Sequence, residues 1–226
     1  MKTVNTLLIL LFSTMMIAQN TPQPTIDVTG EGIVYVVPDE ATINVRVENE
    51  GQEPKQLKNE NDAIVSEVLS TIKQMGIKDK DMQTEYVQLS KNFDYNTKTY
   101  SYKANQSISI KVRDLKKYEP LMNALLESGI NRIDNVSFSS SKSEALESQA
   151  RKKAIENAKM KAEEYVGALN QSIGKAISIS EQRSSNGPQP VYRTMAKASS
   201  ASDGRETIAL GEIEIKANVN VSFLLN

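Results

Sequence analysis

The regular alternation of apolar and polar residues near the C-terminus constrains the fold most. From Ile213 to Leu225 every second side chain is apolar, and Glu, Lys, Asn and Ser occupy the positions between them as far as Ser222. Alternation over this length predicts a long strand with one buried face and one hydrated face. Such a strand needs neighbouring strands and a second layer over its apolar face, so the chain must be built around a sheet.

Similar periodicities predict the other elements. Residues 41–47 alternate as a strand, whereas 54–76, 114–129 and 141–169 carry apolar residues at helical spacing. The third helix has a stripe of alanines, and small side chains let a helix lie close to a sheet. The sequence therefore predicts an α+β fold in which an antiparallel β-sheet is packed on one face by about three α-helices.

Two stretches of alternating residues, 87–95 and 100–112, flank a turn-like segment and predict a long antiparallel hairpin. Its tyrosines could stack on bases or sugars, but aromatic residues in strands mostly cover a core, and we expect that here. Gly30-Glu31-Gly32 lacks the third glycine and the following helix of a phosphate-binding loop, so it predicts a bend or bulge in the first strand.

The N-terminus has the order of a secretory signal peptide. Lys2 precedes an apolar segment, residues 7–17, and the small Ala18 precedes a polar stretch. The apolar segment is too short to span a bilayer comfortably. We therefore expect a signal peptide over 1–18 with cleavage near Ala18, one domain over 19–226, a periplasmic or secreted location, and no integral membrane span after cleavage.

The composition restricts the chemistry. The chain has no His and no Cys, which excludes a Ser-His-Asp triad, a Cys nucleophile, a thiolate zinc site and a disulfide. Its 27 Lys and Arg balance 28 Asp and Glu, so no net charge attracts nucleic acid. We expect a non-enzymatic protein without catalytic residues, cofactor or metal site, and with no nucleic-acid partner.

Carboxylates leave one enzymatic alternative open. A hydrolase could use Asp39 and Glu40 in a cleft with the hairpin tyrosines, and its acid would need a pKa raised by burial. Ser139 and Lys142 have the Ser-x-x-Lys spacing of penicillin-recognising enzymes, but the same segment reads as the start of a helix. Asp79 and the neighbouring Asp81 suit a turn better than a calcium loop.

Residues 184–206 show no periodicity and predict a long flexible loop. Arg183, Tyr192, Arg193 and Lys197 make it a possible interaction loop. A further alternative is therefore a small-molecule or peptide-binding module that uses this loop as a lid.

Several short motifs together resemble the SIMPL-domain family of exported bacterial proteins. They are Val28-Thr29-Gly30-Glu31-Gly32, Pro38-Asp39-Glu40-Ala41, Asp81-Met82-Gln83-Thr84, Val112-Arg113-Asp114-Leu115, Ile133-Asp134-Asn135-Val136-Ser137-Phe138, the alanine stripe at 150, 154, 158 and 162, and Gly211-Glu212-Ile213-Glu214-Ile215. The resemblance implies a SIMPL-type α+β domain, export, a role in envelope or oxidative-stress physiology, and self-assembly into homo-oligomers. It brings no catalytic residues and no ligand. The leading hypothesis is a self-assembling interaction or scaffold protein of the cell envelope.

Overall fold

The computed structural model describes residues 23–182, 189–191 and 209–226, and these form two antiparallel sheets and three α-helices. The predicted α+β class is confirmed. The predicted signal peptide lies outside the described residues. The strands are β1 (Thr25–Val36), β2 (Glu40–Gly51), β3 (Met82–Asp94), β4 (Thr99–Val112), β5 (Arg132–Ser139), β6 (Ile173–Gln182), β7 (Gln189–Val191) and β8 (Glu212–Leu225), and the helices are α1 (Pro54–Gln74), α2 (Tyr118–Glu127) and α3 (Ser143–Gly167).

The strands divide between two sheets where the sequence suggested one. One sheet has the order β3-β4-β2-β5, and the other has the order β1-β8-β6 with β7 also paired to β8. Alternation shows that a strand has a buried face but not which strand lies beside it, so the partition was not visible in the sequence. By its contacts the described backbone also divides into two compact units, one with residues 34–146, 189–191 and 209–215, the other with 23–33, 147–182 and 216–226. This division does not follow the two sheets, because β1 and β8 contribute residues to both units.

The unit that contains residues 34–146 has its core between one sheet and two helices. β2 and β4 supply the apolar face of the sheet, and α1 and α2 cover it. Pro54 occupies the first turn of α1, and Gly76 follows the helix at φ 77°, a conformation that glycine adopts without strain. The buried cluster is Ala41, Ile43, Val45, Val47, Val65, Val68, Ile72, Ile77, Ile108, Ile110, Val112, Leu121, Met122, Leu125 and Ile130.

One buried polar side chain attaches α1 to β2. The amide of Asn61 donates to the carbonyl of Val47 at 3.1 Å and to Oδ1 of Asn49 at 2.8 Å. Asn61 is almost fully buried, so these hydrogen bonds offset the cost of removing its amide from water.

In the other unit, α3 lies against β1 at very short range. Ala150, Ala154, Ala158 and Ala162 are fully buried along one side of the helix. A Cβ atom added to Gly30 would lie 2.7 Å from the Cβ of Ala158 and closer still to the carbonyl oxygen of Ala154. β1 runs through both glycines, and they admit the helix backbone. The bend or bulge expected there stays a prediction. The tight packing expected from the alanine stripe is confirmed.

Polar side chains of α3 also bind the backbone of β1. Lys153 Nζ donates to the Ile33 carbonyl at 3.0 Å, Asn157 Oδ1 accepts from the Glu31 N–H at 3.0 Å, and Lys161 Nζ donates to the Thr29 carbonyl at 2.9 Å. Four residues of helix rise about 6.0 Å and two residues of strand about 6.6 Å, so the three contacts stay in step. These side chains occupy backbone groups along the outer edge of β1.

The predicted C-terminal strand is confirmed, whereas part of the predicted loop is a strand. β8 extends from Glu212 to Leu225 with alternate residues buried, as the sequence predicted. Residues 189–191, inside the stretch expected to be irregular, form β7 and pair with residues 212–214. Pro190 is compatible with a short strand at the edge of a sheet, so proline alone did not indicate a loop here.

Candidate interaction surface

The predicted hairpin is present and is fixed by its turn. β3 and β4 pair from Met82 opposite Ile110 to Asp94 opposite Thr99, with one shift in register between Thr84 and Tyr86. The Asp94 carboxylate accepts the backbone N–H groups of Asn96 and Thr97, which lowers the pKa of Asp94.

Apolar side chains along this hairpin lie in solvent. We define the hairpin patch as Val87, Leu89 and Phe93 of β3 together with Tyr95 and Tyr100. Val87 is 63% exposed, Leu89 46% and Tyr95 84%. Monomeric proteins seldom leave a contiguous apolar surface of this kind uncovered unless it serves a contact.

The patch belongs to the side of the sheet that carries the core. In the antiparallel register Val87 lies opposite Gln106, which lies opposite the buried Val47, and paired residues share a face. α1 packs against β2 and β4, and β3 is the next strand outward, at the edge of the sheet. Our expectation that the hairpin tyrosines cover the core was wrong for Tyr95 and Tyr100, which are exposed, because the sequence does not show how far the helix layer reaches across the sheet.

The end of the hairpin carries an aromatic cluster. The ring centroid of Phe93 lies 5.1 Å from that of Tyr95 and 4.9 Å from that of Tyr100. Lys91 places its Nζ 3.9 Å from the centroid of the Tyr100 ring. These contacts order the exposed side chains before anything binds them, which lowers the entropic cost of an association.

The sequence also proposed four residues of the 184–206 segment and its N-terminal flank as an interaction site. Arg183, Tyr192, Arg193 and Lys197 all lie outside the described residues. They stay a prediction.

Charged side chains form a second cluster at the other end of the sheet. Arg113 donates to Asp81 through Nη2 at 2.6 Å and to Glu40 through Nη1 at 2.9 Å, while Lys111 Nζ lies 2.8 Å from Glu40. Glu40 and Asp81 are buried, whereas the Arg113 side chain is half exposed. The hydrogen bonds from Arg113 are the largest cause of the lowered pKa of Asp81. The cluster therefore joins β2, β4 and the 3-10 turn at residues 79–81.

The Asp39 carboxylate holds the segment that leads into α3 by hydrogen bonds. Its carboxylate accepts the backbone N–H of Ser141 at 2.7 Å and the Ser141 hydroxyl at 2.6 Å, and these bonds lower the pKa of Asp39. Ser140 Oγ accepts the backbone N–H of Lys142, and α3 begins at Ser143. The Ser-x-x-Lys spacing thus falls at the start of a helix, as we favoured.

The structure does not bring Asp39 and Glu40 into one cleft with the tyrosines at the hairpin end, as the hydrolase alternative requires. Glu40 is the first residue of β2, whereas Gly51, its last, pairs with Tyr102 near the hairpin end. Eleven residues of strand span roughly 36 Å. The carboxylates and the tyrosines at the hairpin end therefore lie at opposite ends of the sheet, and the pKa of Asp39 is lowered rather than raised.

Two further searches cover only the part of the chain that is described. No group of three or more Asp or Glu side chains there is arranged to hold a metal ion. No helix in those residues is long and apolar enough to cross a membrane.

These residues define an α+β protein with two antiparallel sheets, three helices and an uncovered apolar hairpin. The family described as "SIMPL: Protein of unknown function (DUF541)" matches residues 26–223. The chain belongs to the SIMPL family, as its motifs suggested.

Curated relatives are similar over most of their length. The chain is 30% identical over 218 residues to the 26 kDa periplasmic immunogenic protein of Brucella melitensis, covering 91% of this chain and 86% of the relative. It is 27% identical over 205 residues to the uncharacterized protein YggE of Escherichia coli K12, covering 89% and 83%. The YggE protein of Edwardsiella ictaluri is 25% identical over 209 residues, with coverage of 90% and 87%.

Proposed function

We propose that the chain is an exported, non-enzymatic interaction protein of the bacterial envelope that self-assembles into homo-oligomers and serves envelope or stress physiology. The observation that carries the proposal is the hairpin patch, an ordered apolar surface on an edge strand that no other described element covers. An edge of this kind is a template for pairing with another chain.

The size of the patch suits one side of a protein interface. The exposed parts of its five side chains amount to on the order of 600 Å², set against about 800 Å² for each partner in an interface of standard size. The backbone of β3 would add to this area. The aromatic side chains are also of the type enriched where most of the binding energy is concentrated.

A role without catalysis agrees with the chemistry available. The whole chain lacks His and Cys, and the pKa values of Asp39 and Asp81 are lowered by hydrogen bonds, whereas a carboxylic acid that donates a proton needs a raised pKa. Because there is no thiol, any part in oxidative-stress defence would be indirect.

Export is supported by the apolar N-terminal segment and by the relative from Brucella, whose name describes it as periplasmic. Expression of the whole chain in a bacterium, followed by fractionation and intact mass measurement, tests this part. Export predicts a periplasmic product that begins near Gln19. A full-length product confined to the cytoplasm would contradict it.

Assembly is tested by multi-angle light scattering of residues 19–226 over a hundredfold range of concentration. The proposal predicts a measured mass that is a whole-number multiple of the protomer mass at high concentration. Any decrease toward the protomer mass should occur only as the protein is diluted. A protomer mass at every concentration would contradict self-assembly, and screening for a different partner would then be the next experiment.

A further inference from the structure

We infer that the second copy in this assembly pairs with the open edge of β3, antiparallel to it, with the two strands related by a two-fold axis at Gln88. The inference rests on the proposed self-assembly and specifies its interface. It follows from a comparison of the edge strands and from the residue order of β3.

The outer edge of β1 is occupied. Lys153, Asn157 and Lys161 bind its backbone at three alternate residues, so another strand would have to displace three side chains there. Covering an edge with a helix and pointing lysines at it are both ways in which proteins prevent strand addition.

β3 offers the longest regular edge among the remaining strands. Residues 86–94 pair with β4 without interruption. β6 shifts register twice against β8, and a shift also interrupts the pairing of β5 with β2. Bulges of this kind twist an edge away from an incoming strand. β3 therefore combines a regular backbone with exposed apolar side chains.

The order of residues in β3 is complementary to itself when reversed. An antiparallel pair centred on Gln88 puts Val87 opposite Leu89 of the second copy, and Leu89 opposite Val87. Glu85 is the bulged residue at the end of this regular stretch, and its carboxylate accepts a hydrogen bond from Ser107 on the other face of the sheet. Residues 86–90 carry no charge, so no like charges face each other around the axis.

This arrangement extends the sheet from four strands to eight. A two-fold axis perpendicular to the sheet keeps both core faces on the same side. Val87 and Leu89 of the two copies then form a continuous apolar strip between one α1 helix and the other. The uncovered part of each core face becomes the centre of the interface.

Disulfide trapping tests the register directly, because the chain has no cysteine of its own. Gln88→Cys places the two thiols on the axis, where directly opposed residues have Cα atoms about 4.5–5.5 Å apart, within the range of a disulfide. Asn96→Cys is the matched control. The Asn96 side chain is also exposed, but it lies on the turn at the end of the hairpin. In the proposed pairing, residue 96 of one copy would therefore lie about 50 Å from residue 96 of the other.

The inference predicts that oxidation with copper phenanthroline converts most of Gln88→Cys into a covalent dimer, at least about tenfold faster than Asn96→Cys under the same conditions. Equal or slower cross-linking at residue 88 would overturn the register. Reduction with dithiothreitol should restore the protomer in each case.

Lysine substitutions test which edge is used. The double variant Val87→Lys, Leu89→Lys places four positive charges at the centre of the interface, so its dissociation constant should rise by about tenfold or more. Ile179→Lys on β6 is the control, since Ile179 is an apolar edge residue with 61% exposure. Both variants change exposed side chains, and circular dichroism confirms that each is folded.

The outcomes separate this inference from the proposed function. Weaker assembly of the β3 variant alone supports the inference. Assembly that persists in the β3 variant overturns it while self-assembly stands, and loss only in Ile179→Lys assigns the interface to β6 instead. A wild-type protein that is always a protomer contradicts the proposed function and the inference together.

Discussion

Replacing Gly30 with alanine should destabilise the unit in which α3 packs on β1. The added methyl group would lie 2.7 Å from both the backbone nitrogen and the Cβ of Ala158, and closer to the carbonyl oxygen of Ala154. Two of these three atoms belong to the helix backbone. A rotamer change cannot relieve the overlap, so the whole helix must move away from the strand.

The loss of stability in Gly30→Ala can be estimated from substitutions that add a methylene group to a well-packed core. Insertion of one methylene into a well-packed interior costs about 1–3 kcal/mol, and a backbone contact belongs at the upper end. For a protein of this size, about 3 kcal/mol lowers Tm by roughly 6–12 °C. Truncating the Ala158 side chain in Gly30→Ala should not restore stability, because the contact with the carbonyl oxygen of Ala154 is unchanged.

Thermal unfolding followed by circular dichroism measures this effect. Gly167→Ala is the control, because it lies at the end of α3 and an added Cβ meets nothing within 4 Å. Alanine is the better helix former, so Gly167→Ala should be as stable as the wild type or slightly more stable. A Gly30→Ala variant with an unchanged Tm would refute the close packing of helix and strand.

Two further variants test the unit that contains residues 34–146. Because the pKa of Asp81 is lowered in the folded protein, its bonds to Arg113 stabilise the fold above its unfolded pKa of about 3.9, and this stability is lost as the pH falls through the folded value. Asp81→Asn should therefore cost about 1–3 kcal/mol at pH 7 in urea unfolding and progressively less as the pH is lowered below about 4, whereas Asp79→Asn, at an exposed position of the same turn, should change little; equal losses would contradict this. Asn61→Ala leaves the buried Val47 carbonyl without its side-chain donor and should lower the free energy of unfolding by about 1–3 kcal/mol, so a wild-type urea midpoint would argue against that bond.

Local patterns in the sequence identified most elements but not their neighbours. The alternation in β8, the glycine after α1 and the alanine stripe of α3 each follow from forces that act within one element or on one face. The division of strands between two sheets depends on contacts between residues far apart in sequence. Gly30 shows the difference clearly, since its role is set by Ala154 and Ala158 rather than by its own neighbours.

The candidate site was harder to predict for a related reason. Val87 and Leu89 alternate like core residues, and their exposure arises only because α1 covers β2 and β4 but not β3.

The central claim is that β3 is the strand through which copies of the chain associate. Amide hydrogen exchange of wild-type protein, compared between high and low concentration, tests it most directly, because strand pairing protects outward-facing N–H groups. The account predicts that peptides covering residues 85–91 exchange more slowly at high concentration, and that this protection disappears in Val87→Lys, Leu89→Lys. Exchange at β3 that is independent of concentration, with protection gained elsewhere, would contradict it.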